Sequence, residues 1–271
     1  MKENKFPIFR FTNSDIEYQV ITEENSTSLA RYMQKNDLKK LIITSSENGP
    51  GWNGSTLPDL SDFVFLEELL IHWTNIKNID GIHSCKNLKV LWLDNDDATS
   101  IEFSNFPYLE KFISWERKNI KNIWNVSTIK ELTLAGLRKD NFTYGEAFKS
   151  IEKLRILKTP LMDISFLSKN NKISFLELLD FSKIEDLSPL QTLTQLKHLR
   201  ISAHKVKDFS FLKYLVNLEK LYISSRIGEF TKDYFSGLNK LQKVNLSGNV
   251  SIQKFNRELL TLDKFKGVCK S

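Results

Sequence analysis

Only two of the 271 residues are cysteine, Cys85 and Cys269, and their isolation leaves neither a disulfide framework nor a CxxC metal site. Cys85 is expected to be a buried free thiol that behaves as a small hydrophobe. Histidine is also scarce. His72, His83, His198 and His204 stand in no HExxH or other ligand spacing, so no metal and no cofactor is expected. The phosphate-cradling pattern GxxxxGK[ST], the dinucleotide pattern GxGxxG and the nucleophile elbow GxSxG are all missing. No run of about 18 apolar residues could span a bilayer. Met1-Lys-Glu-Asn-Lys5 leads straight into the short, mixed stretch Phe6–Phe11, which lacks the apolar run and cleavage site of a secretory signal. A cytoplasmic protein without membrane association is therefore expected. Glycine (10) and proline (6) are few, and 41% hydrophobic with 27% charged residues excludes a disordered chain. His83-Ser84-Cys85 has residue types used in nucleophilic catalysis, but Ile82 and Cys85 are expected to point inward, and no enzyme is expected.

What is present is one apolar template written again and again. Ile173, Leu176 and Leu178 are followed by Leu196, Leu199 and Ile201, then by Leu218, Leu221 and Ile223. Alternate residues of a strand face opposite sides, so Leu199 and Ile201 face a core together while His198, Arg200 and Ser202 face outward. One such unit cannot bury its own apolar face; stacked units can. Further units are read from Leu38, Leu66, Leu88, Leu109, Ile129, Leu154 and Leu241, with a mean period close to 22. An LxxLxL core at a period in the twenties is the signature of a leucine-rich repeat.

Return segments such as Ile184-Glu-Asp-Leu-Ser-Pro-Leu190 and Val206-Lys-Asp-Phe-Ser-Phe-Leu212 resemble those of bacterial internalins and of the phosphatase-regulating class of leucine-rich repeat proteins. Phe235–Asn249 is similar to the general family pattern. The resemblance covers about residues 38–250 and implies an α/β leucine-rich repeat solenoid of about ten units, curved, with a parallel sheet on its concave face and mostly non-helical returns on its convex face. A single domain over 1–271 is expected, made of an N-terminal cap (1–37), the repeats (38–250) and a C-terminal cap (251–271). The N-terminal cap reads as two short strands, around Phe6–Phe9 and Tyr18–Ile21, then a helix from about Asn25–Ser28 through Leu29, Tyr32 and Met33. A second helix is expected over 145–153 inside the unit from Ile129. Phe255, Leu259, Leu260 and Leu262 should cover the last unit.

The chain departs from the family at the ninth position of the repeat, usually Asn, which here is Thr74, Asp96, Arg117, Leu137, Met162, Phe181, His204 and Arg226, with Asn only at Asn249. Backbone groups at those turns must find other partners.

The outward strand positions point to a partner. In the N-terminal half they are Glu68, Leu70, His72 and Trp73, then Val90, Trp92, Asp94 and Asn95, then Lys111, Ile113, Trp115 and Glu116. Neighbouring parallel strands lie about 4.8 Å apart, so Leu70, Trp92 and Ile113 should form a row with Trp73 and Trp115 near its edge. Inward-turned tryptophans would follow from a one-residue slip. Contiguous apolar surface rimmed by charge marks an interaction site, and a protein partner is expected there, anchored by His72, Trp73, Trp92 and Trp115. Further along, Ile156 and Lys158, Phe175, Glu177 and Leu179, His198 and Arg200, Lys220 and Tyr222, and Lys243 and Asn245 carry the face from aromatic and acidic to basic. Residues 1–136 hold 15 Lys and Arg against 19 Asp and Glu, and residues 137–271 hold 24 against 14. The alternative to a protein partner is a nucleic acid or other polyanion on Lys158, Arg200, Lys220 and Lys243, although no groove-entering motif is present.

The loop Ser45–Thr56 lengthens the first unit and centres one large ring, Trp52, among glycines. It is expected to be mobile and to close over a partner near His72 and Trp73, with packing of Trp52 on the N-terminal cap as the alternative. By resemblance to small bacterial repeat proteins, the expected role is that of a monomeric, non-catalytic adaptor or toxin-neutralising module.

Overall fold

The computed structural model describes residues 6–115, 117, 120, 123–136 and 149–261. They fall into two compact units, Met1–Ile129 and Lys130–Ser271.

In the first unit β1 (Ile8–Arg10) pairs antiparallel with β2 (Glu17–Val20), and helix α1 (Leu29–Lys35) follows. Parallel strands β3 (Lys40–Thr44), β4 (Glu68–His72), β5 (Val90–Asp94) and β6 (Lys111–Ser114) then add in chain order from β2. The two strands and helix expected of the N-terminal cap are found. Ser28 makes no side-chain cap on α1, however. The turn before it is tied by Asn25, whose Oδ1 accepts from Thr22 N at 2.9 Å and whose Nδ2 donates to the Val20 carbonyl at 2.9 Å.

The register puts Leu41, Leu69, Leu91 and Phe112 side by side, and Ile43, Ile71 and Leu93 beside them, all on the core face and buried. The chain returns through short 3₁₀ turns at Ser61–Phe63, Asp80–Ser84 and Phe103–Asn105, each of which drops one side chain, Phe63, Ile82 or Phe103, into the core. One turn of 3₁₀ helix spans little length, which suits a period too short for a full helix.

The second unit holds β7 (Glu131–Ala135), β8 (Lys153–Leu157), β9 (Phe175–Phe181), β10 (His198–Ala203), β11 (Lys220–Ser225) and β12 (Lys243–Gly248), each parallel to the next, and then α2 (Val250–Thr261). Its register corrects one unit boundary. Lys153 pairs with Phe175, the third residue of its unit, so the unit expected from Leu154 starts at Ile151. Spacings expected as 25 and 19 become 22 and 22, and Ile156 is a buried core residue, not an outward one. The outward residues are Lys153, Arg155 and Leu157. Residues 145–148 of the helix expected over 145–153 lie outside the described residues; 149 and 150 form a short 3₁₀ piece and by Lys153 the chain is a strand, so the expected helix is not found over 149–153.

Three returns of this unit share a local device. Asp163, Asp186 and Asp208 each accept from the backbone N–H two residues on, at 2.7, 2.7 and 2.8 Å, and from the hydroxyl of the same Ser165, Ser188 or Ser210. The carboxylate satisfies a donor left open at the start of the 3₁₀ turn, which fixes where that turn begins. The backbone bond from Ser210 is the main cause that lowers the Asp208 pKa. Helix α2 buries Ile252 and Leu259, while its half-buried Phe255 lies 6.0 Å from Phe230 and 5.8 Å from Phe235. Leu262 and the tail beyond it lie outside the described residues.

Candidate functional site

The expected row of outward residues exists, since Ile42, Leu70, Trp92 and Ile113 are in register across β3 to β6. It is not open to a partner. Tyr18, Val20, Ile42 and Leu70 form a buried cluster, and Phe9, Phe11 and Trp92 pack against it. Phe9 and Phe11 are two residues apart in an extended segment, so both rings fall on one side and lie over the sheet face. The Phe11 ring stacks on Trp92 with centroids 5.3 Å apart and planes 9° apart, and lies 5.9 Å from His72.

Two expected anchors, His72 and Trp92, and the expected contact residue Ile113 are thereby corrected. His72 is only 3% exposed and Ile113 8%, while Trp92 is half-buried. They are the inner face of a second, small apolar layer, whose lid is the chain's own start. At its edge Tyr18 donates its hydroxyl to Glu68 Oε2 at 2.7 Å, and Lys40 Nζ sits 2.7 Å from Glu68 Oε1. Burial, helped by the Glu68 carboxylate, raises the Tyr18 pKa. The same desolvation lowers His72 to about 4. It is neutral near pH 7, and its Nδ1 stands 3.9 Å from Asp94 Oδ2.

Beyond this covered layer a cleft of about 540 Å³ opens, lined by Trp73, Thr74, Asp94, Asn95, Asp96, Asp97 and Trp115. Trp73 follows β4 with φ +50° and is 68% exposed. Its backbone N–H donates to the Asp94 carbonyl at 2.9 Å, and Trp115 N donates to the Leu93 carbonyl at 3.2 Å, so both rings ride on the sheet's own ladder. Gly136 holds the corresponding place after β7, at φ +68°. A left-handed backbone suits glycine and costs an L-residue about 1–2 kcal/mol; Lys158 and Asp180 take it at the same place in their repeats, so it belongs to the turn of the repeat.

The cleft floor answers the missing asparagines. Arg117 stands at the ninth position of its unit, is 3% exposed, and donates through Nη1 to Asp97 Oδ1 at 2.9 Å and to the Thr99 carbonyl at 3.0 Å. Its Nη2 reaches Asp97 Oδ2 and, at 3.4 Å, Asn95 Oδ1. Asp97 also accepts from Thr99 N at 2.8 Å and Asn95 Nδ2 at 2.7 Å, and Thr99 Oγ1 accepts from Ile79 N at 2.9 Å. Asn249, the one asparagine of the expected ladder, donates to the Arg226 carbonyl and accepts from Ile252 N, both at 2.9 Å.

Trp52 does not join the cleft. Its backbone N–H donates to the Thr44 carbonyl at 2.7 Å, its indole N–H to the Thr56 carbonyl at 2.8 Å, and Asn53 N donates to Glu23 Oε1 at 2.6 Å. Gly51 passes so near the Thr44 carbonyl that a Cβ would stand 2.4 Å from its oxygen. The loop is thus tied to the sheet and to the segment before α1, and the expected lid over His72 and Trp73 is not the arrangement found.

In the second unit, Phe175 stacks on His198 with centroids 4.2 Å apart, and the Arg155 guanidinium lies 4.8 Å from the Phe175 centroid. Arg155 and His198 share Glu177, at 2.8 and 3.5 Å. Tyr222 lies 5.6 Å from His198 with Lys243 over its ring, and Arg200 is exposed. Lys158 is exposed at φ +50°, at the turn after β8. Among the described residues no helix is long and apolar enough to cross a membrane, and no group of His, Cys, Asp or Glu could hold a metal.

No family model matches the chain. Among solved structures, an internalin from Listeria monocytogenes superposes with a TM-score of 0.57 at 20% identity, covering 86% of this chain and 73% of that one. The chain folds as a leucine-rich repeat. A leucine-rich repeat protein of Leptospira interrogans gives a TM-score of 0.53 at 17% identity, covering 81% of this chain and 69% of that one. In this leucine-rich repeat the strand-to-turn rim carries the exposed tryptophan, while the sheet face beside it is roofed by Phe9 and Phe11.

Proposed function

We propose that this leucine-rich repeat chain is a non-catalytic module that binds another protein through the rim formed by Trp73, Asp94 and Trp115. The observation that carries this reading is Trp73, a large ring left 68% exposed on a left-handed backbone beside a cleft, while Trp92 on the same sheet is sheltered under Phe11. Aromatic anchors in such interfaces often contribute about 2 kcal/mol or more each. His72, Trp92 and Ile113 act from behind, as the packed support of the rim, in place of the direct contacts expected of them.

The test replaces Trp73 with a photo-crosslinking amino acid, and Tyr108, 58% exposed on a return segment, with the same group as control. A protein adduct specific to position 73 is expected. With that protein purified, Trp73→Ala together with Trp115→Ala should weaken affinity at least about thirtyfold. Equal adducts from both positions, or an unchanged affinity, would refute the site.

A further inference from the structure

We propose that the cleft beside Trp73 receives one arginine side chain of the partner, its guanidinium laid on a tryptophan face and paired with Asp94. The inference deepens the protein-binding reading and rests on it.

Among the described residues, the charge inside the cleft is not cancelled. Asp97 is fully engaged by Arg117, but Asp94 and Asp96 are not similarly used. The neighbour of Asp94 is His72, which burial keeps neutral, so among the described residues that carboxylate has no cation beside it on the sheet side. Asp96 is exposed, and among the described residues only Lys77 stands near it, at 3.9 Å. Among the described residues, two carboxylates therefore face one ammonium at the mouth.

A second observation is independent of charge. Thr74, in the cleft wall, is nine-tenths buried, and its Oγ1 has no hydrogen-bond partner. A buried hydroxyl left unpaired costs free energy that an incoming N–H donor recovers. A cation that also brings several N–H donors and a flat face suits this set of groups. Tryptophan is the aromatic face that attracts cations best. Guanidinium is planar, carries five donors and is less strongly hydrated than ammonium, which favours arginine over lysine.

The probe is the capped tripeptide Gly-Arg-Gly, with its neutral citrulline counterpart and Gly-Glu-Gly as controls, added at millimolar concentration to the 271-residue chain. The indole N–H resonances of the five tryptophans are followed by NMR. The arginine peptide is expected to shift Trp73 and Trp115 and to leave Trp52 in place. Citrulline should bind at least about tenfold more weakly, and Asp94→Asn should weaken the arginine peptide by a similar factor. Asp96→Asn, at an exposed side chain, should produce a smaller loss and guards against misfolding of the first variant. No shift with the arginine peptide, or equal shifts with citrulline, overturns the proposal. The two readings fail separately. A protein adduct at position 73 without an arginine shift removes only the cation, whereas an arginine shift without any protein adduct removes the protein partner.

Discussion

Replacing Asp97 by Asn tests whether the cleft floor is held by a buried ion pair. The Asp97 carboxylate has no exposed area, Arg117 has 1% of its side chain exposed, and four donors from Arg117, Thr99 and Asn95 converge on the two carboxylate oxygens. An amide keeps one acceptor oxygen and turns an NH2 group toward donors, while the guanidinium stays buried without its counter-charge. Removing one member of a buried pair costs about 3–5 kcal/mol, more than an isolated neutral hydrogen bond, because the remaining charge stays desolvated. For a chain of this size that corresponds to a fall in Tm of roughly 10 °C. Urea unfolding followed by circular dichroism gives the free energy directly. The double change Asp97→Leu with Arg117→Met removes both charges and should recover most of the loss. A single Asp97→Asn variant within about 1 kcal/mol of the parent would refute the pairing argument.

Trp73→Gly should leave stability unchanged or raise it by up to about 1 kcal/mol, because relief of the left-handed backbone offsets glycine's unfolded-state entropy while little buried surface is lost. Partner and arginine-peptide binding should vanish in the same protein; clear destabilisation in thermal unfolding would show the ring to be structural. His72 also makes stability depend on pH. Its folded pKa of about 4 lies below the ordinary 6.5, so its share is complete above pH 6.5 and is lost as pH falls toward 4, at most roughly 3 kcal/mol. Asp94, whose pKa burial raises, acts in the opposite sense at the acid end of that window. His72→Phe should flatten the stability profile between pH 6.5 and 4, and an unaltered slope would refute the assignment.

The repeat was legible because its core positions are strictly apolar, and a period of two or of about 22 survives any substitution among Leu, Ile, Val and Phe. The one displaced boundary shows the weak point: Ile151-Glu-Lys-Leu154-Arg-Ile156 contains the template, but reading it from Leu154 shifts the register by three and turns Ile156 outward. The covered face carried a signal as well. The fifth residues of the repeats are Ile42, Leu70, Trp92 and Ile113 in the first unit, and Thr133, Arg155, Glu177, Arg200, Tyr222 and Asn245 in the second. Apolar residues there ask for a cover, and Phe9-Arg10-Phe11, alternating apolar and charged, supplies it. The Arg117 network was not legible, because its partners are about 20 residues away in sequence and meet only when units stack.

The short strand β1 also limits what can pair with its edge of the sheet. An unpaired strand edge invites another chain to add to it. Here the outermost strand at one edge is three residues long and runs against its neighbour, with Pro7 just before it, while α2 follows β12 and packs against it. Among the described residues, β1 is therefore a poor template for a second copy of the protein, and α2 lies against the strand it follows.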